Sequence, residues 1–231
     1  MRSLRIATLL ALLATTLALV PSAGAALVGI YRNGMESRGQ LAQINKLSGE
    51  RCARGATEHT FLIAVGKQTR ECGYRTPVVG RDLEIAATLR LLGKTPKPVQ
   101  RSAYLAVELR SGGGSRYQLV AYPTQRKAQL RKIREDGSIE YLHIEKDVTT
   151  VGGVDRANQL RLRAINVTAG EEKGNCHILA FVGGQLVAEV TDEAAGELSG
   201  RASGFSVGSA KFAKGAQASV DDVIVRVPSP F

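Results

Sequence analysis

Apolar and polar residues alternate at period two along most of this chain, and that alternation restricts it to antiparallel strands. The segment Asp82-Leu83-Glu84-Ile85-Ala86-Ala87-Thr88-Leu89-Arg90 places Leu83, Ile85, Ala87 and Leu89 on one face. Similar runs recur at 103–110, 116–122, 128–134, 139–144, 159–167, 178–182, 186–191, 204–208 and 218–227. Turn formers separate them: Gly112-Gly113-Gly114, Asp136-Gly137, Gly152-Gly153, Gly183-Gly184 and Ser199-Gly200. Only 40–48, with Leu41, Ile44 and Leu47, predicts a short helix. Strands that follow strands without alternating helices predict an all-β fold, an antiparallel two-sheet sandwich.

The amino terminus has a different pattern. Arg2 and Arg5 precede an apolar run over 6–20, Pro21 follows, and Ala23-Gly24-Ala25 supplies small residues for cleavage. This is the layout of a signal peptide over 1–25. The run is shorter than the roughly 20 residues that span a bilayer, and no later stretch is long enough. The expectation is an exported single domain over 26–231 with no membrane span of its own. Cysteine usage agrees with export. Cys52 and Cys72 bracket a predicted strand at 61–65 and are expected to pair, leaving Cys176 as a small buried hydrophobe. Three cysteines permit three pairings, and spacing alone does not choose among them. There is no Cys-x-x-Cys, and His59, His143 and His177 are scattered. Neither a metal site nor a cofactor is therefore implied.

The carboxy-terminal two-thirds carries a family pattern. The succession Arg116-Tyr117-Gln118-Leu119-Val120-Ala121-Tyr122-Pro123, Asn158-Gln159-Leu160-Arg161-Leu162-Arg163-Ala164, Ala180-Phe181-Val182-Gly183-Gly184-Gln185-Leu186-Val187-Ala188 and Ser219-Val220-Asp221-Asp222-Val223-Ile224-Val225 resembles the concanavalin A-like (laminin G-like) jelly roll. The resemblance covers about 80–227 and implies lectins, extracellular interaction modules or glycoside hydrolases. Fold alone does not choose among them.

Catalytic readings rest on single residues. Hydrolases of that superfamily place acidic residues at alternate positions of one strand, and retaining hydrolysis needs two carboxyl groups about 5 to 5.5 Å apart. Asp82 and Glu84 have the alternation, but the third position is Ala86, and Glu108 could join only from another strand. A glycoside hydrolase using Asp82, Glu84 or Glu108 is the alternative reading. Gly204-Phe205-Ser206-Val207-Gly208 matches a nucleophile-elbow string, yet it lacks the following helix and a downstream histidine. Asp221 and Asp222 point to opposite faces of a strand, so at most one could serve a given calcium site.

Charge is the strongest functional signal. The chain carries +10, and the stretch 90–134 alone holds eleven basic residues against one acid, Glu108. Its hairpin strands are expected to pool Arg110, Arg116, Arg126, Lys127, Arg131, Lys132 and Arg134 into a surface for an anionic polysaccharide or cell-surface polymer; charged outward faces that only keep an exported protein soluble are the alternative. Tyr104 and Tyr122 have the parity to join that surface, and core positions fit them equally. No nucleic-acid motif accompanies the charge, and Trp is absent. The expected function is an exported, non-catalytic binding module.

Overall fold

The computed structural model describes residues 27–35, 38–48, 52–57, 60–66, 69–168, 170–209 and 215–228. The expected signal peptide and the domain start at 26 lie outside the described residues. Fifteen strands are described: β1 (Leu27–Asn33), β2 (Asn45–Ser48), β3 (Cys52–Thr57), β4 (Thr60–Val65), β5 (Glu71–Val79), β6 (Leu83–Leu91), β7 (Ala103–Gly112), β8 (Ser115–Tyr122), β9 (Lys127–Ile133), β10 (Ile139–Glu145), β11 (Asn158–Asn166), β12 (Cys176–Val182), β13 (Gln185–Asp192), β14 (Ala202–Ser209) and β15 (Gln217–Pro228). They form two antiparallel sheets. One runs β13-β12-β11-β6-β15-β4-β3, with β1 also on β15; the other runs β10-β9-β8-β7-β14-β5-β2. The fold is the expected jelly-roll sandwich.

Local chemistry explains the hairpins. Gly183 and Gly184, both at positive φ, turn β12 into β13 with the backbone twist that a two-residue hairpin requires. Gly113 and Gly114 do the same between β7 and β8. The helix expected at 40–48 is corrected: one turn, α1 (Arg38–Ala42), is helical and Asn45–Ser48 is the edge strand beside β5. Pairing with β5 satisfies that backbone in a way that a short, uncapped helix would not.

Between the sheets lies one apolar core. Leu83, Ile85, Leu89, Leu160 and Leu162 from the larger sheet meet Leu105, Val107, Leu119 and Leu130 from the smaller. Phe61, Tyr74 and Phe205 meet near its centre, with ring centroids 4.9 to 6.3 Å apart. Covalent and ionic ties cross between the layers. The Cys52–Cys72 disulfide joins β3 to β5, and Cys176 is free and buried, as expected. At the other end, Lys132 is wholly buried on the core side of β9; its ammonium lies 3.0 Å from Asp192 on β13 and 2.9 Å from Glu197. Tyr117 donates to the same Asp192 carboxylate at 2.5 Å.

The smaller sheet departs from simple amphipathicity. β7, β8 and β9 are buried on both faces over almost their whole length. On the face away from the core, Tyr104, Ala106, Val120 and Tyr122 form a second cluster, and the long polar residues beside them cover one another.

Closing the loop between Cys52 and Cys72 is worth about 3 kcal/mol by chain-entropy arithmetic. The double variant Cys52→Ala/Cys72→Ala is expected to lose stability of that order in urea denaturation, with the far-ultraviolet β signature retained.

Candidate functional site

The face of the smaller sheet away from the core is built from cross-strand neighbours. Register aligns Gly204, Glu108, Gln118, Arg131 and Tyr141 in one row across β14, β7, β8, β9 and β10. A second row runs from Glu71 through Gly208 to Tyr104. Residues in such rows stand about 5 Å apart on one face, so the polar side chains meet directly. Gly208 is required here: a Cβ at that position would collide with the Tyr104 phenol, which lies across β14. The space left lets Tyr104 reach Glu71, to which its hydroxyl donates at 3.1 Å.

Two carboxylates and two guanidiniums occupy the floor. Arg116 Nη2 lies 2.9 Å from Glu71 Oε2, and its Nε lies 3.3 Å from Glu108 Oε2. The second approach is close but misaligned, so Glu108 Oε2 and Arg116 Nε, both buried, lack a geometrically sound hydrogen bond. Gln118 Nε2 sits within 2.5 Å of Glu71 Oε1 and 2.7 Å of Glu108 Oε1, with Ser206 Oγ at 3.1 Å. Arg131 donates from Nε to Gln118 Oε1 at 2.7 Å and stacks 4.7 Å above the Tyr104 ring. It has no ion pair among the described residues.

Burial and neighbouring charge set the protonation of the floor. Burial opposes the Glu71 carboxylate, but Arg116, then the hydrogen bond with Glu108, then Arg131 outweigh it and hold the group down at about 2. Glu108 is the more enclosed. Burial raises it, Arg116 opposes, Glu71 raises it further, and the result is about 7. Like charges this close do not both ionise readily, so near neutrality the pair tends to keep one proton. The Tyr104 hydroxyl is pushed up, first by burial and then by Glu71, and does not ionise in the ordinary range.

Above the floor is a groove of about 400 Å³. Arg70, Glu135, Ile139 and Tyr141 line it around Glu71, Arg116, Arg131, Tyr104 and Tyr122. Ile139 and Tyr141 are 44% and 52% exposed, which provides an apolar rim beside a polar floor. That combination suits a ligand with both ring faces and hydrogen-bonding groups.

The seven basic residues expected to act together are distributed over different places. Arg116 and Arg131 line the groove, and Lys127 sits 4.5 Å over the Tyr122 ring. Arg126 occupies the exposed β8–β9 turn at positive φ. Arg134, beyond β9, pairs with Glu140 and Glu197. Arg110 and Lys132 do not face the groove. Arg110 is buried against Tyr117, donating to Asn166 at 2.8 Å with Asp82 at 3.9 Å, and Lys132 belongs to the core tie. The pooled surface is corrected accordingly: alternation turns Lys132 away from Arg131, Arg110 shares the parity of Glu108 but is turned off the groove face by its positive φ and the register shift at the end of β7, and acids distant in sequence neutralise several of the charges.

Asp82, Glu84 and Glu108 are not brought together. Glu84 lies on the larger sheet, paired with Arg226 at 2.6 Å, and Asp82 accepts from the Asn166 backbone and side chain. Glu108 instead meets Glu71. Both accept from one nitrogen, which leaves no room for a sugar ring between them. Ser206 is a strand residue of the floor. Asp222, at positive φ in an irregularity of β15, pairs with Arg32, and no cluster of three metal-ligating side chains occurs among the described residues.

Neither a protein-family model nor a curated protein sequence matches the chain. Solved structures do match in fold. A carbohydrate-binding module, CBM66 from Bacillus subtilis, superposes with TM-score 0.57 at 14% identity over 78% of this chain and 93% of its own. A Bacillus subtilis protein of unknown function with a galectin-like fold gives 0.60 at 12% identity, covering 87% and 98%. The apo Crh5 transglycosylase gives 0.58 at 9% identity, covering 87% and 85%. At such identities the likeness is one of fold, and it places the chain in the concanavalin A-like fold class.

The raised Glu108 gives stability a definite pH dependence. Its bound proton contributes fully below the ordinary value of 4.5, and the contribution is lost as pH rises through about 7. Glu71 acts with the opposite sign, its contribution being lost as pH falls from 4.5 toward about 2. Between pH 5 and pH 8 the protein is expected to lose on the order of 2 kcal/mol from Glu108. Glu108→Gln, which keeps the shape of the protonated acid, is expected to flatten that fall in denaturant midpoints measured at both pH values.

Proposed function

We propose that the protein is an exported, non-catalytic module that binds an anionic polysaccharide or cell-surface polymer in the groove of the smaller sheet. The observation that carries this reading is Arg131: a guanidinium without an ion pair among the described residues, centred 4.7 Å from the Tyr104 ring on the floor, beside the exposed rim of Ile139 and Tyr141. A fixed planar cation reads an anionic group, and the exposed aromatic and aliphatic rim offers contact to sugar ring faces. Arg116 adds a second cation, and Glu71 supplies a charged acceptor for ligand hydroxyls.

The fold shared with a carbohydrate-binding module and a transglycosylase supports a saccharide ligand. A disulfide between β3 and β5 supports an oxidising compartment, in line with the leader-like amino terminus. The close Glu71–Glu108 pair is arranged to hold charge rather than to flank a scissile bond, which favours binding over glycoside hydrolysis.

Binding to a panel of neutral, carboxylated and sulfated polysaccharides tests the reading. Retention of acidic polymers that weakens as salt rises is expected, because the long-range attraction between an anionic polymer and a chain of net charge +10 is screened within about 8 Å at physiological ionic strength. Arg131→Ala and Tyr141→Ala are each expected to weaken binding by roughly tenfold. Arg161→Ala, on the outer face of the larger sheet, is expected to leave it unchanged. Equal losses at all three positions, or no retention of any saccharide, would overturn the reading.

A further inference from the structure

We propose that the groove takes up a carboxylated sugar together with a proton, the ligand carboxylate docking on Arg131 and Arg116 while Glu108 holds the proton. The inference rests on the saccharide-binding reading and adds to it the kind of acid bound and the condition under which it binds.

Counting charges on the floor carries the inference. Glu108 meets Glu71 from β5, Arg116 and Gln118 from β8 and Ser206 from β14, and the same floor holds Tyr104, on Glu71, and Arg131 from β9, on Gln118. Of these, only Glu71, Arg116 and Arg131 are charged, since the Tyr104 hydroxyl is held neutral. With both carboxylates ionised, two negative charges balance two guanidiniums and nothing is left for an anion. With one proton on the pair, the floor carries one uncompensated positive charge, which a single ligand carboxylate neutralises. At the rim Arg70 and Glu135 contribute one charge of each sign, and Lys127 sits over Tyr122 outside the lining.

Geometry indicates which carboxylate takes the proton. Glu71 is well served as an anion, with Arg116 at 2.9 Å and the Tyr104 hydroxyl donating. Glu108 is 1% exposed at its side chain, and its Oε2 meets Arg116 Nε without an aligned hydrogen bond. A buried oxygen so poorly served favours the neutral acid. Burial and the neighbouring Glu71 push Glu108 in the same direction. An anion arriving beside it would push it further, so by linkage ligand binding and protonation strengthen each other.

Trigalacturonate and its fully methyl-esterified, uncharged counterpart are the probes, titrated calorimetrically into the full-length mature protein from pH 5.5 to pH 8.5. Wild-type affinity for trigalacturonate is expected to fall by at least fivefold across that range, approaching a tenfold loss per pH unit at its steepest. Affinity for the ester is expected to be flat. In two buffers of different ionisation enthalpy at pH 8, uptake is expected to approach roughly one proton per trigalacturonate. This readout needs no variant. Glu108→Gln is expected to abolish the slope. Trigalacturonate binding that is independent of pH, with no proton uptake, would overturn the proton coupling and leave the saccharide-binding reading standing. Tighter binding of the ester at pH 5.5 would overturn the carboxylate assignment. Failure of the wild type to bind either probe, or any member of the polysaccharide panel, would overturn both readings.

Discussion

Charge buried on a sheet face persists only where each charge is paired or hydrogen-bonded, because an ion left with neither away from water costs several kcal/mol. The smaller sheet is organised around that requirement. Glu71, Glu108, Arg116, Gln118 and Arg131 come from four strands, and each is held by the others. Their mutual cover buries β7, β8 and β9 on both faces. Glycine at 208 on β14 keeps the surface low enough for Tyr104 to cross it. The groove is thus pre-organised, with its floor fixed before any ligand arrives.

The same economy appears at two of the ties between the layers. Cys72 bonds to Cys52 one residue after Glu71, so the strand that carries a groove carboxylate is pinned to the other sheet. Lys132 follows Arg131 on β9 and points the other way, into Asp192 and Glu197. Adjacent residues on one strand therefore divide their work: one faces the groove and the next binds the sandwich together. Removing Lys132 would leave Asp192 buried without its cation, a larger loss than the pair itself is worth.

Most strands were legible because alternation is local. Leu83, Ile85, Ala87 and Leu89 face the core as their spacing implies. The amino-terminal third was harder to read. β5 reads Glu-Cys-Gly-Tyr-Arg-Thr-Pro-Val-Val, with buried residues at three successive positions and a proline within it, so its period is blurred and Glu71 goes unnoticed. Charge misled for a different reason. Arg110, Arg116, Lys132 and Arg134 belong to a strongly basic stretch, but their acids come from elsewhere: Asp82, Glu71, Asp192 and Glu197. A local charge count cannot register compensation made through the fold. Parity left Tyr104 and Tyr122 open between the basic patch and the core; they stand beside Arg116 and Arg131 in the groove, so an aromatic pair of matching parity beside strand arginines is a signal by which it could have been found.

The central claim is that a saccharide engages this floor rather than the outer face of the other sheet. Titrating trigalacturonate at pH 6 into protein with nitrogen-labelled side chains, and following the Gln118 amide with the Nε–H signals of Arg116, Arg131 and Arg161, measures it directly. Saturable shifts at Gln118, Arg116 and Arg131, with Arg161 unmoved, are the predicted result. Shifts at Arg161 with the three floor residues silent would contradict it.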